Sequence, residues 1–210
     1  MVEINTLKKA VLIPLNILLQ LTDYVGLDKY SQQALNRRFP YYVAEFEKRY
    51  GPFGEHPQLA FEPLFKAEGK VSGDYRISLN KDPQFVTTIL HRESTIKHEL
   101  GHLVVNEIAR GVKPTWFYLE NGRPMLTRDM FPQIDTIHEG CADYLSVQNG
   151  GEVGNLYRFN FVRPILDELG VQDGIKKLLL DPPTQQELKD PESYYRRLSF
   201  NQKQQQILLN

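Results

Sequence analysis

The chain has 210 residues, of which 41% are hydrophobic and 24% charged, and its net charge is −1. That is ordinary globular composition, and it removes the electrostatic reason to expect nucleic acid or an anionic membrane as a partner. The single cysteine, Cys141, excludes an internal disulfide framework. It fits a reducing compartment such as the cytoplasm, although many secreted bacterial enzymes also lack disulfides.

The length suits one domain over 1–210, read as an N-terminal helical region (1–57), strands and a long helix (58–111), and a hairpin followed by helices (112–210). Oligomeric state is left open. Lys8 and Lys9 precede an apolar run from Ala10 to Leu21 that Pro14 and Asn16 interrupt. The run is too short to span a bilayer and lacks a small-residue cleavage site, so it reads as a helix packed on the core, and no transmembrane segment is expected.

From Leu27 to Tyr50 the pattern is helical with an interruption near Pro40, and its aromatic residues read as core. Leu59 to Phe65 and Val71 to Leu79 read as two strands joined by a turn at Ala67 to Lys70, with alternation in Tyr75, Ile77 and Leu79. A simple antiparallel hairpin is the expectation. Asp82-Pro83 offers the start of a short helix.

The stripe Ile96, Leu100, Leu103, Val104 and Ile108 then has helical spacing, with Ser94 or Thr95 at its start and Gly111 just past its end. Next, Asn121-Gly122 between apolar runs predicts a two-residue hairpin. Further helices are expected from a start between Pro132 and Thr136 through Val147, from Asn155 to Leu169, from Ile175 to Leu180, over Thr184 to Lys189 with a capping box, and from Glu192 onward. The fold class is therefore α+β, predominantly helical, with a small antiparallel sheet before the long helix.

That long helix carries His98-Glu99-Leu100-Gly101-His102, which reads H-E-x-x-H. Two histidines four apart are separated by about 6 Å of rise on one helical face, so both imidazoles reach one cation. Glu99 lies about 100° around from His98 and is free to hold a water. His91 is about 10 Å farther along the helix, too far for the same ion. A catalytic zinc site usually has three protein ligands and keeps a fourth position open, so a third ligand is sought at His138 to Asp143.

Glu139 and Asp143, four apart on a helix, share a face; one can bind the ion and the other can orient a ligating histidine. Gly140 and Ala142 beside them would let two helices approach closely. Asp135 and Asp143 keep an aspartate ligand open as an alternative. His138 is expected to point to a different side of its helix.

The pairing of His98-Glu99-x-x-His102 with Glu139-x-x-x-Asp143 resembles the gluzincin, or thermolysin-like, branch of zinc metallopeptidases, over about fifty residues. The spacing from His102 to Glu139 is longer than in thermolysin, which the Asn121-Gly122 hairpin would account for as an insertion. A metzincin would carry glycine and histidine where this chain has Val105 and Ile108.

The resemblance implies a zincin-like fold, Zn2+ held by His98, His102 and Glu139, Glu99 as general base, and Asp143 behind His98. It implies a peptide or protein substrate and hydrolysis of its peptide bonds. The absence of a G-x-M-E-N segment leans toward an endopeptidase. Related enzymes steady the oxyanion with tyrosine or histidine, and here Tyr118, Tyr157, Tyr194 and Tyr195 are the candidates. Related folds also bind substrate backbone on an edge strand, for which Tyr75 to Leu79 is the candidate. The competing reading is a non-catalytic or latent zinc-binding module.

Overall fold

The computed structural model describes residues 31–64, 67–72, 75–81, 91–114, 117–120, 123–126 and 131–208. The expected helix at Ala10 to Leu21, the helix start at Asp82-Pro83 and the turn residues Asn121-Gly122 lie outside the described residues. The architecture is mostly helical with a small sheet, which is the α+β class. The first helix, α1 (Gln32–Tyr50), is capped by Ser31, whose side chain accepts from the Ala34 N–H at 3.1 Å. Pro40 does not interrupt it. It lies on the exposed side, while Leu35, Phe39, Tyr42, Val43 and Phe46 bury a continuous face on either side of it, so packing holds both halves of the helix in line.

Strands β1 (Gln58–Glu62), β2 (Gly69–Val71) and β3 (Arg76–Asn80) form a sheet in the order β1-β3-β2. The sheet is mixed, not simply antiparallel: β1 pairs with β3 in parallel, and only β2 and β3 form an antiparallel pair. The expected second strand, Val71 to Leu79, is thus two strands. The chain turns within it, where the Tyr75 N–H donates to the Ser72 carbonyl at 3.1 Å and Tyr75 takes a positive φ of 58°. The proposed turn at Ala67 to Lys70 instead contains the start of β2. The expected alternation does hold, since Tyr75, Ile77 and Leu79 are buried.

Helix α2 (Arg92–Val112) starts a turn earlier than Ser94 or Thr95 and runs through Gly111. Its end is set by Lys113 in the left-handed region, whose N–H closes on the Ala109 carbonyl. Strands β4 (Phe117–Glu120) and β5 (Arg123–Leu126) pair antiparallel with Glu120 opposite Arg123, the register of a two-residue hairpin.

Helices α3 (Phe131–Gln148), α4 (Leu156–Leu169), α5 (Val171–Leu180), α6 (Gln185–Lys189) and α7 (Pro191–Leu208) follow, with the predicted capping box present at Thr184 and Glu187. α3 lies between α2 and α4 and packs on both, and α5 leans on α2. One apolar cluster runs through these helices, with Ile96, Leu100, Val105, Ile137, Cys141 and Leu145 fully buried. Each such side chain contributes about 1.5–3 kcal/mol. Among the described residues no helix is long and apolar enough to cross a membrane.

Candidate metal centre

The polar face of α2 meets α3 at a contact that only small residues permit. A Cβ on Gly101 would come within 2.9 Å of the backbone of Ala142, so the two helices touch between His98 and His102 on one side and Glu139 and Asp143 on the other. Gly140 serves a different neighbour from the one expected. A Cβ there would lie 2.5 Å from the Arg158 carbonyl oxygen, so its bare face receives α4 rather than α2.

The contact brings His98, His102 and Glu139 together, with one ligand atom from each lying within 4.8 Å of the others. His98 Nε2 is 3.3 Å from Glu139 Oε2, and His102 Nε2 is 3.5 Å from Glu139 Oε1. A tetrahedral cation with bonds of about 2.0–2.1 Å separates its donors by about 3.4 Å, so the three residues fit a divalent metal ion. Behind them, Asp143 Oδ1 lies 2.9 Å from His98 Nδ1, which leaves Nε2 facing the cluster. Asp143 also accepts from the Gly154 and Asn155 N–H groups at 3.0 and 2.8 Å. The same carboxylate therefore sets the imidazole and the loop that begins α4.

The electrostatics follow from this packing. Burial works against a charge on His98, but its hydrogen bonds to Asp143 and Glu139 outweigh that and raise the imidazole to about 10. Burial opposes ionisation of Glu139 and Asp143, yet the bond from His98 holds both below the usual carboxylate range. Glu99 is pushed up to about 7 by burial, helped by the charge of Glu139 and opposed by His98. Burial holds His102 neutral, well below its ordinary value, and its Nδ1 has no hydrogen-bond partner among the described residues.

A cleft of about 870 Å³ opens over the cluster. One wall is β2, an outer strand of the sheet, whose Gly69 brings it against the metal helix: a Cβ there would meet Thr95 Cγ2 at 2.5 Å and Glu99 Oε1 at 3.0 Å. The expected substrate strand at Tyr75 to Leu79 is a correction on this point. β3 is the central strand with both edges paired, and the Tyr75 hydroxyl donates to Glu107 and accepts from Arg110. Among the described residues, β2 is the outer strand at the cleft, with its edge away from β3 unpaired.

His138 also lines the cleft, contrary to the expected orientation. Its ring stacks on His102 at 4.4 Å, and Nε2 lies 3.0 Å from Asn106 Oδ1. Burial drives it down to about 4, so it is a neutral ring. Three of the candidate tyrosines are not at the site: Tyr157 donates to the Leu188 carbonyl, Tyr194 to the Asp181 carbonyl at 2.7 Å, and Tyr195 to the Phe161 carbonyl at 2.8 Å. None of the three lines the cleft. The Tyr118 side chain lies outside the described residues. Asp135 is paired with Arg158 and does not belong to the donor cluster. His91 lines the far part of the cleft, 3.6 Å from Glu152.

Sequence reasoning missed His138 and Arg158. Adjacency to Glu139 was the only signal for the first, and no spacing signalled the second. Comparison with known proteins finds no matching family model, no similar characterised sequence and no similar solved structure. The likeness to gluzincins stands on the two short motifs alone.

Proposed function

We propose that the chain is a zinc-dependent peptidase with a zincin-like catalytic domain, acting on internal peptide bonds. The observation that carries the reading is the donor spacing of 3.3 and 3.5 Å among His98, His102 and Glu139, with Glu99 buried beside them. Two imidazoles and a carboxylate are a donor set zinc commonly takes in catalytic sites. When bound, zinc would lower the pKa of a water to about 7 and polarise a carbonyl oxygen. Glu99, buried on the same helical turn beside the donors, would take the proton from an attacking water and return it to the leaving amine. The edge of β2 that is unpaired among the described residues offers backbone groups to an extended peptide lying along the cleft.

The decisive experiment is Glu99→Gln, with zinc content and cleavage of a peptide library measured together. Zinc should remain stoichiometric, and turnover should fall by about 10²–10⁴-fold, the usual worth of a general base. A variant that still turns over peptides removes Glu99 from this role. Stoichiometric zinc in a wild-type protein that cleaves nothing would favour the non-catalytic module instead. Against that module stands the count of natural ligands among the described residues, three where a structural zinc is closed by four.

A further inference from the structure

Hydrolysis of a peptide bond places negative charge on the carbonyl oxygen, and a metal cation is rarely its sole partner. Three of the four tyrosines expected to help have their hydroxyls committed to carbonyl groups away from the cleft. A different side chain fills the need. Arg158, on the first turn of α4, lines the cleft beside the donor cluster. Its NH2 donates to Asp135, while NH1 lies 3.9 Å from Glu139 Oε2, outside hydrogen-bond range, and makes no hydrogen bond among the described residues.

Asp135 anchors the guanidinium, and the main chain that carries it is held on two sides. Its backbone rests on Gly140, the residue after Glu139, and the N-terminus of its helix is tied through Gly154 and Asn155 to Asp143. The elements that set the metal ligands therefore also set Arg158. Lys70, another cation at the cleft, is a weaker candidate because its side chain is 55% exposed and its ammonium is turned to Glu62 at 3.4 Å. An exposed ammonium is strongly hydrated, whereas a guanidinium anchored on a carboxylate keeps a planar fork ready to donate.

We propose that Arg158 is a catalytic residue whose NH1 donates to the substrate oxygen that gains charge as water adds to the scissile carbonyl. The inference rests on the peptidase reading and deepens it. It is tested with Arg158→Gln and Arg158→Lys in the full chain, measuring zinc content, kcat and KM on a cleaved library peptide, and binding of inorganic phosphate to the cobalt-substituted protein by visible absorption.

The expected result is unchanged zinc content and an unchanged phosphate-free cobalt spectrum. With these, kcat should fall about 10²–10³-fold with KM moving less than about threefold, the pattern of an interaction made in the transition state. Phosphate should bind about tenfold more weakly to Arg158→Gln, and Arg158→Lys should recover part of both losses. Full wild-type kcat in Arg158→Gln overturns the role and leaves the peptidase reading intact. Loss of zinc or an altered phosphate-free spectrum in that variant also overturns it, by making Arg158 a support for Glu139. A wild-type protein without hydrolysis overturns both readings.

Discussion

Asp143 lines the cleft behind His98 and carries more of the site than one hydrogen bond. One oxygen serves both His98 Nδ1 and the Gly154 N–H, and the other serves the Asn155 N–H, with the side chain only 2% exposed. Asp143→Asn keeps the shape but replaces an acceptor with an amide donor, so one of three donors must face another donor in a buried place. Leaving a buried polar group unpaired costs about 1–3 kcal/mol. Zinc affinity should fall about 10–100-fold, as expected for a lost partner behind a ligating histidine. Chelator competition measures it, and an unchanged affinity would detach Asp143 from the metal site. At this scale the helical four-residue spacing made His98, His102, Glu139 and Asp143 legible, because i and i+4 share a face whatever the tertiary structure. His138 and Arg158 were not legible. Their places depend on how closely α3 approaches α2 and α4, which no pattern within one helix encodes.

Between elements, the contact of α2 with α3 is the joint on which the cluster depends. Gly101 meets the Ala142 backbone, which is not a flexible side-chain end that can swing aside. Gly101→Ala gains helix propensity but forces the helices apart, and overpacking of this kind costs about 1–3 kcal/mol. For a chain of this size each kcal/mol lowers Tm by about 2–4 °C. A thermal melt should show that loss, with weaker zinc binding in the same sample because the donors separate. An unaltered Tm and affinity would mean that the interface has slack. The presence of the helices was read from periodicity, while several of their ends, at Pro40, Ser94 or Thr95, Gly111 and Ile175, were not, and the Asn-Gly hairpin was read from its turn. The sheet was not. Parallel pairing of β1 with β3 skips over β2, so it is decided by distant packing, and local alternation looks the same in either topology.

Across the whole molecule, the C-terminal helix is fastened to the end of α5 and to α6 through an arginine clamp. Tyr194 is fully buried, and Arg197 lies over its ring at 5.0 Å while donating to Asp181, to both Glu187 oxygens and to the Pro182 carbonyl. The charges of the clamp were visible in the sequence, but their partnership joins three elements and was not. Its energetic sign can be worked out. The hydrogen bond from Arg197 is the main cause that lowers Glu187; at Asp181 burial opposes ionisation, but bonds from Arg197 and Lys177 prevail. Both carboxyls are therefore lower in the folded chain than their ordinary values of 4.5 and 3.8. Such groups bind more protons unfolded than folded, so their contribution is complete above those ordinary values and is lost as pH falls through the lower folded ones. Wild-type Tm should drop between about pH 5 and pH 3. Arg197→Met keeps the packing over Tyr194 but removes the main cause of the shift at Glu187 and one of the two at Asp181, where Lys177 remains, so its Tm should be lower at pH 7 and should fall less steeply over the same interval. Parallel Tm-against-pH curves for the two proteins would show that the clamp contributes nothing dependent on charge. Convergence toward acid would assign the difference to Asp181 and Glu187, because the remaining lowered carboxyls, Glu62, Glu93, Glu139 and Asp143, are common to both chains.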